Sequence, residues 1–394
     1  MCITFPRVVG AVFLVIAVIG NAAGAADLRL ADAIKNNNVE RVKILLAEGV
    51  PVNQAGPSGV TPLHWAVQGD HFELVDLLLS AGADVDAESL YEVTPLVLAC
   101  TNASPKMVSR ILAAGANPHA EQANGETALM TCARGGVWEA VEILLKRGVD
   151  PSGKEHARGQ TALMWAAANH HPATVKILLD YGAAVDQRSA VWNQMMAVPP
   201  HSRTKRDIPH GGNTALMFAA RVGDVLSAQH LVAAGANVDA ADAWGMSATT
   251  IAAHGGHTEL VELLLANNAD PNAAVAGVAP IHNAVMRDDH EMVTRLLAHG
   301  ANPNITLETW TPTRRASRDL HYPAAFVGAT PLWLAARFAR VDIMRLLIGH
   351  GADPRFVHEV EYIADGVYQA RTERTTTLMA ALAMGGTPRF RPWV

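Results

Sequence analysis

Apolar and polar positions alternate along this chain with a helical period, in short bursts closed by glycine. The clearest burst is Thr61 to Asp86, TPLHWAVQGDHFELVDLLLSAGADVD. Leu63, Trp65, Ala66 and Val67 mark one face of a first short helix, with Pro62 at an early helical position and Thr61 placed to cap it. Phe72, Leu74, Val75, Leu77, Leu78 and Leu79 give a second helix its apolar side, and Gly82 stands where a positive φ is needed to end it. Two helices this short cannot bury their apolar faces alone, so the pattern predicts neighbours of the same shape.

The chain supplies them. The first-helix phrase returns at Thr94 (TPLVLAC), Thr127 (TALMTCA), Thr161 (TALMWAA), Thr214 (TALMFAA), Ser247 (SATTIAA), Ala279 (APIHNAV), Thr330 (TPLWLAA) and Thr376 (TTLMAAL). The second-helix ending returns as ILAAGANPH, ILLKRGVDP, ILLDYGAAVD, LVAAGANVD, LLLANNADPN, LLAHGANPN and LLIGHGADP. These residues resemble ankyrin repeats, whose mark is a TPLHxA helix start recurring at about 33 residues. The resemblance covers roughly Leu28 to Met384. It implies an all-α fold: an ankyrin-repeat solenoid of stacked helical hairpins with short β-hairpin tips, in one array over 27–394. Asp27 to Asn53 reads as an N-terminal cap, and repeats start near 59, 92, 125, 159, 212, 245, 277, 328 and 374.

Three long loop insertions, 187–211, 305–328 and 355–375, interrupt the spacing. Each falls between a GADVD phrase and the next helix start, the hairpin tip of the family, where added chain disturbs no packing. They are expected to be dispensable for stability, and to form either tolerated surface variation or a composite binding edge. After TTTLMAALAMGG the last residues hold two prolines and no second helix; Phe390 and Trp393 either fold back as a cap or end a shortened unit.

Residues 1–26 differ from the rest. Arg7 precedes an apolar run from Val8 to Ile19, then Gly20, Asn21 and AAGAA, the pattern of a secretory signal peptide cleaved near Ala25 or Ala26. An exported chain, periplasmic or secreted, is expected, with an uncleaved anchor as the alternative; without the leader no membrane span remains. Half the 394 residues are hydrophobic and 5% aromatic, a composition suited to close-packed short helices. The formal charge is −6 and becomes more negative once Arg7 is lost, which argues against general nucleic-acid binding. Cys2 leaves with the leader and lacks a lipoprotein context, so Cys100 and Cys132 are the mature thiols. They sit one position out of register in adjacent repeats. With helices about 8–10 Å apart and a disulfide needing Cα atoms within about 7 Å, they are expected to be two buried small residues.

Candidate chemistry is sparse. Seventeen histidines invite a metal or catalytic reading. In the resemblance, His64 and His282 tie repeats together, His71 and His257 open second helices, and His299 and His350 sit in turns. The adjacent His170 and His171 do not face the same way on a helix. HExxH, CxxC and GxSxG are absent from the sequence, so no catalytic residue, cofactor or metal ligand is assigned. Trp65, Trp165 and Phe218 are expected in the core, and Trp333, Met130, Met164 and Met217 at inter-repeat contacts. Tyr91 and Trp244 fall at hairpin tips, and Trp192, Trp310, Tyr322 and Phe326 in the insertions, as partner anchors or as rings lying flat on the surface.

The resemblance puts the two residues before each inter-helix turn on the groove. Among those sixteen, from Gln68–Gly69 to Arg337–Phe338, there is no acid, and Arg134, Arg221, Arg287 and Arg337 form a basic row. The expected function is a monomeric, non-enzymatic scaffold binding a protein partner with an acidic segment through groove and tips. The alternatives are a membrane-anchored regulatory or inhibitory subunit of an envelope enzyme, and an enzyme with its site in the loops.

Overall fold

The computed structural model describes residues 28–198, 201–309, 322–363 and 370–382. The leader, Trp310, Phe390 and Trp393 lie outside the described residues. The chain forms two compact units, one of 28–157 with 161–183 and the other of 158–160 with 184–382.

The N-terminal unit is five helical hairpins: α1 (Arg29–Lys35) with α2 (Val39–Ala47), α3 (Pro62–Gln68) with α4 (Phe72–Ser80), α5 (Pro95–Thr101) with α6 (Pro105–Ala113), α7 (Ala128–Gly135) with α8 (Trp138–Leu145), and α9 (Ala162–Ala168) with α10 (Pro172–Asp180). First helices α1, α3, α5, α7 and α9 stack on one another in sequence order, and each packs against its own second helix.

The C-terminal unit opens with strands β1 (Val191–Val198) and β2 (His201–Gly211). Four hairpins follow: α11 (Ala215–Val222) with α12 (Val225–Ala233), α13 (Ala248–Gly255) with α14 (Thr258–Ala266), α15 (Pro280–Met286) with α16 (His290–Ala298), and α17 (Pro331–Arg337) with α18 (Val341–Gly349). Strands β3 (Val357–Ile363) and β4 (Ala370–Thr376) lead to a last first helix, α19 (Thr377–Leu382), which stacks on α17.

The recurring phrase fixes each helix start. The hydroxyls of Thr94, Thr127, Thr161, Ser247 and Thr330 each accept the backbone N–H three residues on, satisfying an orphan donor. Thr61 departs from this scheme, because its backbone N–H and hydroxyl both meet Nδ1 of His64. The third residue of the phrase, Leu63, Leu96, Leu129, Leu163, Leu216 or Leu332, is buried in every case. Gly82 ends α4 at φ +84°, a conformation open to glycine and costly for residues with a Cβ.

Four devices join one repeat to the next. Small residues at the seams (Ala66, Ala99, Ala133 and Ala166 are buried) let first helices approach closely. His64 Nε2 donates to Val93 O at 2.9 Å and His282 Nε2 to Ile305 O at 3.1 Å, so the imidazole ties expected from the resemblance are present. A third tie involves the eighth residue of the first-helix phrase. The carbonyls of Gln68, Arg134, Arg221 and His254 accept from Asn102, His171, His257 and Arg287 of the following repeat. Gly136 and Gly223 make room for this, since a Cβ on either would come within 2.5 Å of the His171 or His257 ring. The fourth device is a ladder of Asp and Asn side chains accepting from the next turn's backbone: Asn53 to Asp84, Asp86 to Asn117, Asp186 to Asn237, Asp239 to Asp270, Asn272 to Asn302, and Asn304 to Asp353.

Cys100 and Cys132 are buried, as expected, but they are joined in a disulfide with Cα atoms 4.6 Å apart, which corrects the expectation that the two are too far apart to bond. The 8–10 Å between neighbouring helices is an axis separation. Each Cα sits about 2.3 Å off its axis, so facing Cα atoms come within about 4–5 Å across such a seam.

The insertions also depart from loops. Two are antiparallel hairpins, with Val191 opposite Gly211 in β1–β2 and Val357 opposite Thr376 in β3–β4. Strand β3 alternates cleanly: His358 and Val360 are buried, Glu359 and Glu361 exposed. The described ends of the second insertion pack on the repeats, with Leu307 and Tyr322 buried and a short 3-10 turn at Ala324–Phe326. The second and third insertions therefore belong to the folded body and are not simple surface additions.

Candidate binding surface

The fifth position of each first-helix phrase varies widely: Trp65, Leu98, Thr131, Trp165, Phe218, Ile251, Asn283 and Leu334. Trp65, Leu98, Trp165 and Phe218 are half-buried, which corrects the expectation that the three rings are core. Each ring lies beside a cation. Lys35 Nζ lies 4.1 Å from the Trp65 ring centre, the Arg134 guanidinium 4.6 Å from Trp165, and the Arg221 guanidinium 5.4 Å from Phe218. Such pairs contribute about 0.5–1 kcal/mol at exposed sites. Their larger effect is to hold a wide ring at a fixed tilt.

In the N-terminal unit this arrangement is anchored from below. Arg134 Nη2 lies 3.0 Å from the Glu126 carboxylate, which is buried and accepts from Thr131 Oγ1 at 2.6 Å. The guanidinium is thereby fixed over Trp165. Lys35, Trp65, Leu98, Arg134 and Trp165 all project from the stacked first helices α1 to α9, an apolar surface edged by two cations.

The expected basic row is a set of positioned groups rather than a line of unengaged charges. Arg134 is paired as described, Arg221 Nη2 donates to Asn213 Oδ1 at 2.9 Å, and Arg287 Nη1 donates to His254 O at 3.1 Å. Arg337 is half-exposed at the end of α17. Arg287 ties one repeat to the next, and Arg134 and Arg221 hold rings.

The other candidates fall on the tips. Tyr91 is 69% exposed beside Leu90 at 72%, an apolar tip in the N-terminal unit. Trp192, in the C-terminal unit, stacks on His210 with centres 4.4 Å apart and receives Arg158 at 4.7 Å, so it is a ring lying flat on its own hairpin. Trp244 is half-buried beside a shallow pocket lined by Val275, Gly277, Glu308 and Thr309.

The C-terminal unit treats its first-helix face differently. The Tyr322 hydroxyl donates to Asn283 Oδ1 at 2.9 Å, and both residues are buried. Burial raises the phenol pKa well above its ordinary value. Four residues on, Phe326 meets Trp333 and Phe338 edge-on at 5.7 and 5.8 Å. Trp333 also donates to Thr375 Oγ1 and lies against His358, the inter-repeat role expected of it. Lys35, Glu126 and Asn283 escape a sequence reading because ordinary polar residues carry no motif. The signal that was available is the change of residue at the fifth position, which takes Trp, Thr and Asn in turn while the third position keeps an apolar residue in most repeats.

The imidazoles are structural. Burial lowers the pKa of His64, His358 and, to about 4, His282, against the opposing effect of their carbonyl partners. Among the described residues no group of three His, Cys, Asp or Glu is arranged to hold a metal ion, and no helix is long and apolar enough to cross a membrane.

The comparisons agree with this geometry. A model of ankyrin repeats in three copies matches residues 29–89, 96–189, 197–275, 216–307 and 275–358. The crystal structure of the human ASB11 ankyrin repeat domain superimposes with a TM-score of 0.50 at 28% identity, over 61% of this chain and 98% of that one. The mitochondrial disaggregase of Bos taurus is 29% identical over 150 residues, 29% of this chain and 22% of that protein. An ankyrin repeat domain-containing protein of Stachybotrys chartarum, SAT10, is 27% identical over 178 residues, 43% of this chain and 9% of that protein. The chain thus spans less than a quarter of the length of these two relatives. By its repeats, its fold and this match, the chain belongs to the ankyrin repeat family, a family of protein-interaction modules.

Proposed function

We propose that this chain is an exported, non-enzymatic scaffold that binds a protein partner on the first-helix face of its N-terminal unit. The observation that carries the reading is the pair of half-exposed tryptophans, Trp65 and Trp165, each held at a fixed tilt by a cation. Rigid aromatic rings offer large contact area at little entropic cost, and Trp and Arg are overrepresented among residues that dominate interfaces. The bound segment is apolar with carboxylates at its edge, meeting the ammonium of Lys35 and the guanidinium of Arg134. Charge there governs association rate more than final affinity.

Export is supported by the leader pattern and by the Cys100–Cys132 disulfide, since such bonds persist mainly in oxidising compartments. N-terminal sequencing of the mature protein tests it; a retained Met1 would mean an anchored or internal protein. The binding reading is tested by affinity capture from the exported fraction with wild type and the Trp65→Ala/Trp165→Ala variant. Loss of the captured partner is expected, and equal capture by a folded variant would move the interface elsewhere. With the partner in hand, Arg134→Glu should slow association and flatten its salt dependence.

A further inference from the structure

The second insertion leaves its hairpin at Leu307 and rejoins it at Gly328, where Gly328 N donates to Leu307 O and Leu307 N to Ala329 O. Between these points the described return arm, Tyr322 to Val327, lies along α15 and α17. It touches three positions of these first-helix phrases: Asn283, the fifth of its repeat, through the Tyr322 hydroxyl, and Trp333 and Phe338, the fourth and ninth of the next, through Phe326. Asn283 corresponds in register to Trp65 and Trp165. It is 1% exposed where those rings are half-exposed, and Tyr322 is itself 3% exposed. The arm has the form of a bound peptide: two aromatic side chains four residues apart, one carrying a hydroxyl matched to a buried amide. The Asn283 amide is engaged at both ends, its Nδ2 donating to Thr250 O while its Oδ1 accepts from the phenol. A ligand lacking the hydroxyl leaves that oxygen buried and unpaired.

We propose that the return arm is an internal occupant of this first-helix face, displaced by a partner segment that presents a tyrosine followed four residues later by a second aromatic side chain. This rests on reading the chain as a protein-binding scaffold and specifies how its C-terminal unit is regulated. The tethered arm acts at an effective concentration of millimolar order. An incoming segment binds only the fraction of molecules whose arm has lifted, so its apparent affinity falls by that fraction.

The test uses a synthetic peptide of the arm, Tyr-Pro-Ala-Ala-Phe-Val-Gly, labelled at its C-terminus and titrated into the full chain by fluorescence anisotropy. Tyr322→Ala/Phe326→Ala, with its arm stripped of both anchors, should bind the peptide at least tenfold more tightly than wild type. Tyr322→Phe should fall between them. A peptide with its tyrosine replaced by alanine should fail on the double variant. Equal affinity for all three chains, or no binding to the double variant, overturns the proposal. Should the double variant lose its helical circular dichroism, Tyr322→Phe against wild type decides alone, and no gain there overturns it. The probe reports only on the C-terminal unit's face, so its failure leaves the capture experiment on Trp65 and Trp165 unaffected, and the converse holds.

Discussion

His282 shows how one residue sets a solution property. Its ring is fully buried, its Nε2 donates to Ile305 O and its Nδ1 accepts from Ala279 N, so the neutral ring belongs to the fold. The unfolded chain takes up the proton near pH 6.5, the folded chain only near 4. Between those values the unfolded state binds more protons, so stability is complete above about 6.5 and falls as pH drops toward 4. The loss reaches about 3 kcal/mol, and His64 and His358 shift the same way. Urea midpoints for wild type and His282→Gln over this range should converge as pH falls; parallel curves would remove His282 from the account. Ala339 offers a gain instead. It holds φ +55° at an inter-helix turn where Gly136, Gly223 and Gly256 stand in other repeats. Ala339→Gly should therefore raise stability by about 1 kcal/mol, read as a higher thermal midpoint.

At the scale of elements, the helices were legible in the sequence because three local signals agree on them: the capping Thr, the buried third-position Leu and the closing glycine. What was not legible depends on distance between elements. Nothing local says that Cys100 faces Cys132, or that Trp165 tilts outward under Arg134, because both follow from how closely two helices stack. The β3 alternation is present in the sequence, but one short alternating run does not name the strand it pairs with. Closing a loop of 32 residues, the disulfide should contribute about 3–4 kcal/mol. Cys100→Ser/Cys132→Ser should lower the urea midpoint of the N-terminal unit accordingly, and an unchanged midpoint would mean that the bond does not form in solution. The insertions should divide. Shortening β1–β2 beyond Gln194 and Ile208 to a tight turn keeps the buried Ile208 and should change stability by less than about 0.5 kcal/mol. Replacing 310–327 strips Tyr322 and Phe326 from their contacts and should cost about 2–4 kcal/mol, as core truncations do.

At the largest scale, within each unit the described first helices stack on their neighbours in sequence order, so a disturbance should fade with distance along that stack. Reduction of Cys100–Cys132 should speed amide exchange most in α5 to α8 and less in α3 and α9; a uniform loss across the N-terminal unit would mean that its repeats open together. The side-chain ladder at the turns has a further consequence. Asp186 reaches Asn237 across 51 residues and Asn304 reaches Asp353 across 49, with the same bond that elsewhere spans 31. Stacking therefore reads the turn and ignores how much chain was paid out before it. Each such site is a socket: a foreign loop whose two ends arrive side by side could be spliced in, leaving the seams on either side as they were.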